Sequence, residues 1–307
     1  MLGCWRMKRL APLAPILAAL VIAGCGGGSV AGSTGSGLQV VAAENFWGSL
    51  ATQLGGNRAH VTSIITSPAA DPHGYEPRSA DARTMATAQM AIVNGIGYDT
   101  WASKLIAANP VDGRVVLDVG GLVGLKPGDN PHQWYSPQTV QRVIDQIVSD
   151  YKRLDPKDAA YFDRRRQTVV TRNLGRYHAL IAQIRARYRD TPVGASESIF
   201  APLAQALGLR LLTPPGFLTA VSEGTDPTAA DKQTTDRQIA RKQVKVWVYN
   251  SQNTTPDVKR LNDAARAAGI PVATVTETLT PAGASFQDWQ VRELDALQRA
   301  LASATGR

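Results

Sequence analysis

From Leu38 onward the chain alternates between short apolar, β-rich runs and amphipathic helical stretches, and this alternation constrains its fold more than any other feature. LQVVAA (38–43), HVTSII (60–65), QMAIVNG (89–95) and RVVLDV (114–119) read as strands. Between them FWGSLATQLGG (46–56), SADARTMATA (79–88) and DTWASKLIAAN (99–109) read as helices, and a further helix opens at Pro137 behind the N-cap Ser136 and runs to about Leu154. The same rhythm resumes at Thr191, with strands predicted at 192–196, 209–213, 244–250 and 271–276. Helices are expected at about 200–207, 227–242, 256–268 and 286–304, and PPGFLTAVSEGTDP (214–227) as a long loop. Strands separated by helices form parallel sheets, so the expectation is an α/β protein with two βα lobes, 38–155 and 191–307.

The lobes are separated by a stretch of different character, 156–190. Phe162, Val170, Leu174, Tyr177, Ile181, Ile184 and Tyr188 fall largely at three- and four-residue steps, which predicts one linking helix with a single apolar stripe. Such a helix over 157–188 is roughly 48 Å long, enough to reach from lobe to lobe. Gly175 is its weak point, costing about 1 kcal/mol relative to alanine in a helix interior.

Ahead of the first lobe, Lys8 and Arg9 precede an apolar run from Leu10 to Ile22, which is short for a bilayer span and interrupted by Pro12 and Pro15. Residues 1–24 therefore read as a signal peptide, with Met7 as an alternative start. Ala23-Gly24-Cys25 resembles a bacterial lipobox, which implies lipidation of Cys25; the alternative is a plain secretory signal cut nearby. Residues 25–37 form a Gly/Ser tether with a reach on the order of 20 Å. Cleavage before Cys25 also removes Cys4, so no internal disulfide is expected.

With 307 residues, 44% of them hydrophobic, the chain has material for real cores. Its formal charge is +8, of which Arg6, Lys8 and Arg9 carry three, leaving +5 on the mature chain. The basic residues cluster in 152–189 without an aromatic platform, so a solvated helix face is expected and no nucleic-acid partner. Phosphate-binding glycine loops and GxSxG nucleophile motifs are absent from the sequence.

Only four histidines occur, and two stand on matching corners: His73 in DPHGYEP (71–77) and His132 in NPHQWYSP (130–137). Proline fixes its own φ and keeps the preceding residue out of the helical region, so each imidazole sits on stiff backbone. Either motif alone reads equally well as an ordinary loop with its histidine in water, but the pair favours one metal site. His60 and His178 have no such setting and read as structural or surface residues, while Trp47, Trp134 and Trp289 read as packing.

These two motifs resemble the N-terminal-lobe histidine motifs of the metal-binding receptors of ABC importers, the zinc, manganese and iron solute-binding lipoproteins that include streptococcal surface adhesins. The likeness runs from about Leu38 to the C-terminus. It implies a metal site in the cleft between the lobes, a linking helix that limits their motion, and two further ligands at Glu197 and Glu277. Glutamate at the first position follows the manganese and iron members rather than the zinc members, which carry histidine there. At the second the family usually has aspartate, and Glu277 departs from that while keeping the carboxylate. Capping and surface solvation are the alternatives for both glutamates, with Glu223 and Asp226 in reserve as fourth ligand.

Two imidazoles with two carboxylates suit Mn²⁺ or Fe²⁺, while Zn²⁺ binds such sets more tightly than manganese and stays in contention. The resulting expectation is a monomeric, lipid-anchored extracytoplasmic receptor that passes a divalent metal ion to a permease and performs no covalent chemistry. Two rivals use the same residues: a metal-dependent hydrolase, which needs an open coordination position and a general base, and a metal-stabilised surface adhesin.

Overall fold

The computed structural model describes residues 37–253 and 255–307, and these form one compact unit. The expected signal peptide, Cys25 and nearly all of the tether lie outside the described residues.

The first lobe is built from β1 (Leu38–Glu44), α1 (Asn45–Gly55), β2 (Ala59–Ile65), α2 (Ser79–Met85), β3 (Met90–Val93), α3 (Thr100–Ala108), β4 (Val115–Asp118) and the short α4 (Val119–Val123). Its four strands are parallel in the order β2-β1-β3-β4, with Val40 opposite Val61 on one side and Met90 on the other. Next come α5 (Pro137–Leu154), α6 (Ala159–Thr168) and α7 (Gly175–Tyr188). The second lobe repeats the plan with β5 (Pro192–Ala195), α8 (Ala201–Leu207), β6 (Arg210–Leu211), α9 (Pro215–Ser222), α10 (Ala229–Ala240), β7 (Val246–Asn250), α11 (Pro256–Ala267), β8 (Val272–Val275) and α12 (Phe286–Thr305). Its parallel order, β6-β5-β7-β8, is the same permutation.

Helices cover both faces of each sheet, so successive strand residues feed different cores. Val40 and Ala42 of β1 point into a large cluster that runs through both lobes and includes Val193 and Val248 of the second sheet. Val41 and Ala43 point the other way, into a satellite with Met85 and Trp101. In β7, Val246 and Val248 join the shared core while Trp247 packs with Phe217 and Leu261 beyond the sheet. Trp47, Trp134 and Trp289 are fully buried in the shared core, as expected of packing residues. Ser136 caps α5 as read from the sequence, its hydroxyl accepting from the Thr139 amide.

Two expectations need correction. Residues 156–190 do not form one uninterrupted α-helix: a 3₁₀ turn (156–158) precedes α6, and a π turn at Val169–Asn173 separates α6 from α7. The fully buried residues are Phe162, Val169, Leu174, Tyr177, Leu180, Ile184 and Tyr188, whereas Val170 and Ile181 are half-buried. The step of five from Val169 to Leu174 fits no α-helical stripe. The wider turn, closed by the Leu174 amide on the Val169 carbonyl at 2.9 Å, keeps both on the core face. Gly175 follows directly as the first residue of α7. The second correction concerns 214–227, where α9 replaces most of the expected loop. Pro215 stands in its first turn, where a missing amide hydrogen is harmless, and Phe217, Leu218 and Val221 are buried.

Candidate metal centre

The two Pro-His corners leave the first sheet at its carboxyl edge, His73 after β2 and His132 after β4 and α4; Glu197 and Glu277 leave the second sheet after β5 and β8. In open parallel sheets this is where ligands bind, because the connections there splay apart. His73, His132 and Glu277 each bring one ligand atom to a common point, the three atoms lying within 4.8 Å of one another. Glu197 stands behind this trio, linked to Glu277 through Asn250. Glu223 borders the cleft beside His73, whereas Asp226 is almost fully exposed and pairs with Lys232 at 3.4 Å, away from the site. His60 is exposed and His178 half-buried, neither near the trio.

The stiffness of the corners has a source that proline alone does not supply. In each, the residue two before the histidine accepts its backbone amide: Asp71 Oδ1 from His73 at 2.9 Å, Asn130 Oδ1 from His132 at 3.0 Å. The first corner is further held by Trp101, whose indole nitrogen donates to the Pro72 carbonyl at 3.1 Å. The second is held by Asn94, whose amide donates to the Pro131 carbonyl at 2.9 Å.

Asn130 also settles the chemistry of His132. Its Nδ2 donates to the Ser198 carbonyl across the cleft at 2.7 Å, so its Oδ1 faces His132 Nδ1 at 2.8 Å and fixes the proton there. His132 Nε2 sits in a fully buried side chain with no hydrogen-bond partner, and Glu277 Oε1 lies 3.5 Å away. Beneath it Trp134 lies edge-on at 5.2 Å and stacks on Phe46 at 4.1 Å.

The carboxylates differ in charge. Burial pushes Glu277 up, but the positive charge that His132 and His73 carry when protonated and the Tyr98 hydroxyl, which donates to Oε2 at 2.9 Å, more than offset it, and Glu277 lies below its ordinary value. Glu197 is raised to about 8, by burial first and by the charge of Glu277 second. One of its oxygens, Oε1, is buried without a partner. Burial lowers His73, favouring the neutral imidazole that binds metals. Tyr98, Asn130 and Asn250 escaped the sequence reading; an Asn two residues before His132, matching Asp71 before His73, was the one signal available.

Two parallel βα lobes meeting edge to edge over this cluster make a two-lobed binding-protein fold. The Mn-bound periplasmic metal-binding protein from Candidatus Liberibacter asiaticus shares it, with a TM-score of 0.71 at 19% identity over 85% of this chain and 98% of that one. The chain belongs to the family described as zinc-uptake complex component A, periplasmic, which matches residues 40–300. It is 30% identical over 151 residues to the manganese-binding lipoprotein MntA of Halalkalibacterium halodurans, covering 47% of this chain and 49% of that protein. The match thus spans about half the length of that relative. To the high-affinity zinc uptake system protein ZnuA of Bacillus subtilis it is 22% identical, over 92% of this chain and 94% of that one.

Proposed function

We propose that this chain is the extracytoplasmic receptor of an ABC importer, capturing a divalent transition-metal ion, manganese or zinc with iron(II) in the same range, and handing it to a membrane permease. The observation that carries this reading is the convergence of His73 and His132 from one lobe with Glu277 from the other. His132 Nε2, buried and without a hydrogen-bond partner, and the Glu277 carboxylate 3.5 Å from it leave a place that a cation between them would satisfy. His73, His132 and Glu277 serve as direct ligands, and Glu197 contributes the fourth through its free oxygen. The metal is cargo, so the site needs affinity and a route of release rather than an activated water, and the protein acts without catalysis.

In this reading residues 1–24 are removed, Cys25 carries the lipid that holds the monomer at the outer face of the cell membrane, and 25–37 tether it. The helical run 156–190 couples the lobes 38–155 and 191–307. No helix among the described residues is long and apolar enough to cross a membrane. Titration calorimetry with Mn²⁺ and Zn²⁺ on the chain from residue 37 onward tests the binding, and metal accumulation in cells lacking the gene tests the transport. Saturable binding of one ion and reduced accumulation are expected; absence of binding by either metal overturns the reading.

A further inference from the structure

At the carboxyl end of β7 the side chain of Asn250, 3% exposed, lies between the two carboxylates. Its Nδ2 donates to Glu197 Oε2 at 3.2 Å and to Glu277 Oε1 at 3.1 Å, so both amide hydrogens are committed to carboxylate oxygens. The orientation of the amide is fixed from behind. Asn250 Oδ1 accepts the Gln252 backbone amide at 3.0 Å, and the Asn250 backbone amide donates to Ser196 Oγ at 3.3 Å, so a flipped side chain would lose all three side-chain contacts.

The consequence for Glu197 is specific. With Oε2 occupied by Asn250, the oxygen left over is Oε1, which is buried and makes no hydrogen bond, the Asn253 side chain beside it in the cleft being the other amide that favours the charged form of Glu197. A buried carboxylate oxygen without a donor is costly unless something meets it. The same amide holds Glu277 Oε1 facing His132 Nε2.

We propose that Asn250 is a specificity-determining positioning residue: by holding one oxygen of Glu197 it presents the other as the fourth donor, and so adapts the site to ions that take more than three protein ligands. This rests on the metal-receptor function proposed above. Manganese, hard and of high coordination number, depends on that fourth oxygen, whereas zinc reaches four-coordination with His73, His132, Glu277 and one more donor of any kind, water included. Losing Asn250 therefore weakens manganese more than zinc.

The test is a double-mutant cycle read by titration calorimetry with MnCl₂ and with ZnCl₂ on wild type, Asn250→Ala, Glu197→Gln and the double variant. Asn250→Ala is expected to raise the manganese Kd about tenfold and the zinc Kd by less than about threefold. In the Glu197→Gln background the same change is expected to cost less than about threefold for either metal, because Asn250 then has no fourth ligand to place. Asn262→Ala is the control: Asn262 is also buried in this lobe, where it accepts from the Trp247 indole at 2.8 Å far from the cleft, and its loss is expected to lower stability without altering either Kd. Equal effects of Asn250→Ala in both backgrounds, or equal losses for both metals, overturn the proposal. Should Asn250→Ala fail to fold, Glu197→Gln alone decides, since a manganese Kd within twofold of wild type means there is no fourth ligand to position. His132→Ala separates the two levels: loss of binding there with an inert Asn250→Ala removes only this inference, whereas a wild type that binds neither metal removes the receptor function with it.

Discussion

The hydroxyl of Tyr135 lies 3.1 Å from the backbone nitrogen and 3.0 Å from the carbonyl oxygen of Thr276, closing on the second lobe from three residues beyond His132. Thr276 immediately precedes Glu277, so one phenol ties the turn that carries an imidazole to the strand end that carries its facing carboxylate. Tyr135→Phe is expected to weaken manganese binding about tenfold. Tyr151→Phe, which removes an equally buried hydroxyl bonded within the first lobe to the Ala51 carbonyl at 3.1 Å, should cost a similar ~1 kcal/mol of stability and leave affinity unchanged. Calorimetric titrations paired with urea melts separate the two effects.

The proposed ligands and the two other histidines should part clearly. His73→Ala, His132→Ala and Glu277→Ala are each expected to reduce affinity by more than about a hundredfold, beyond what loss of an outer contact costs. His60→Ala and His178→Ala should stay within about twofold of wild type. Competition with a chromogenic chelator measures all five.

Binding should release a proton. Glu197, raised to about 8, is mostly protonated at pH 7 and must give up its proton to coordinate an ion, while Glu277 is already ionised. Calorimetry at pH 7 in buffers of different ionisation enthalpy should show close to one proton released per manganese ion. Glu197→Gln should abolish most of that release. Affinity should accordingly fall as pH drops from 8 toward 6.

The metal-free protein should lose stability as pH rises from about 4.5 to 8. Glu293, buried against Tyr135, Thr276 and Trp289, is raised to about 8, so the native state keeps a proton that the unfolded chain has released above its ordinary value near 4.5. The penalty is absent below pH 4.5 and complete above about 8. Glu293→Gln should therefore melt several degrees higher than wild type at pH 8 and near it at pH 4.5, on the usual scale of a few degrees per kcal/mol. Glu197 adds a slope of the same sign, so part of the pH dependence should remain in the variant. Thermal unfolding followed by circular dichroism across that range is the measurement.

The strand and helix rhythm was legible because both sheets are covered on two faces, which makes runs such as Val40–Ala43 and Val246–Val248 apolar throughout and unlike their amphipathic neighbours. His73 and His132 were legible because proline marks their corners. Asn130 and Asn250 were not: each meets its partners through the orientation of an amide, and nothing in composition or period distinguishes an amide aimed at an imidazole or a carboxylate from one aimed at water. Nor was α9 legible, because Pro214, Pro215 and Gly216 mark loops in most contexts, and only the burial of Phe217, Leu218 and Val221 shows that tertiary packing prevailed. A stripe read at steps of three and four likewise had no place for a step of five.

The turn at Val169–Asn173 also bears on how this stretch tolerates changes in length. A π turn holds one residue more than the α-helix needs, so removing one residue there would leave an ordinary α-helical run, with Val169 and Leu174 brought to a spacing of four. Deletion anywhere else along α6 or α7 would swing everything beyond it by about 100° and turn Tyr177 or Ile184 toward water. Indels in homologous chains should therefore concentrate at this turn, which makes it a place to look for the spare residue that families add or drop while keeping two lobes in register.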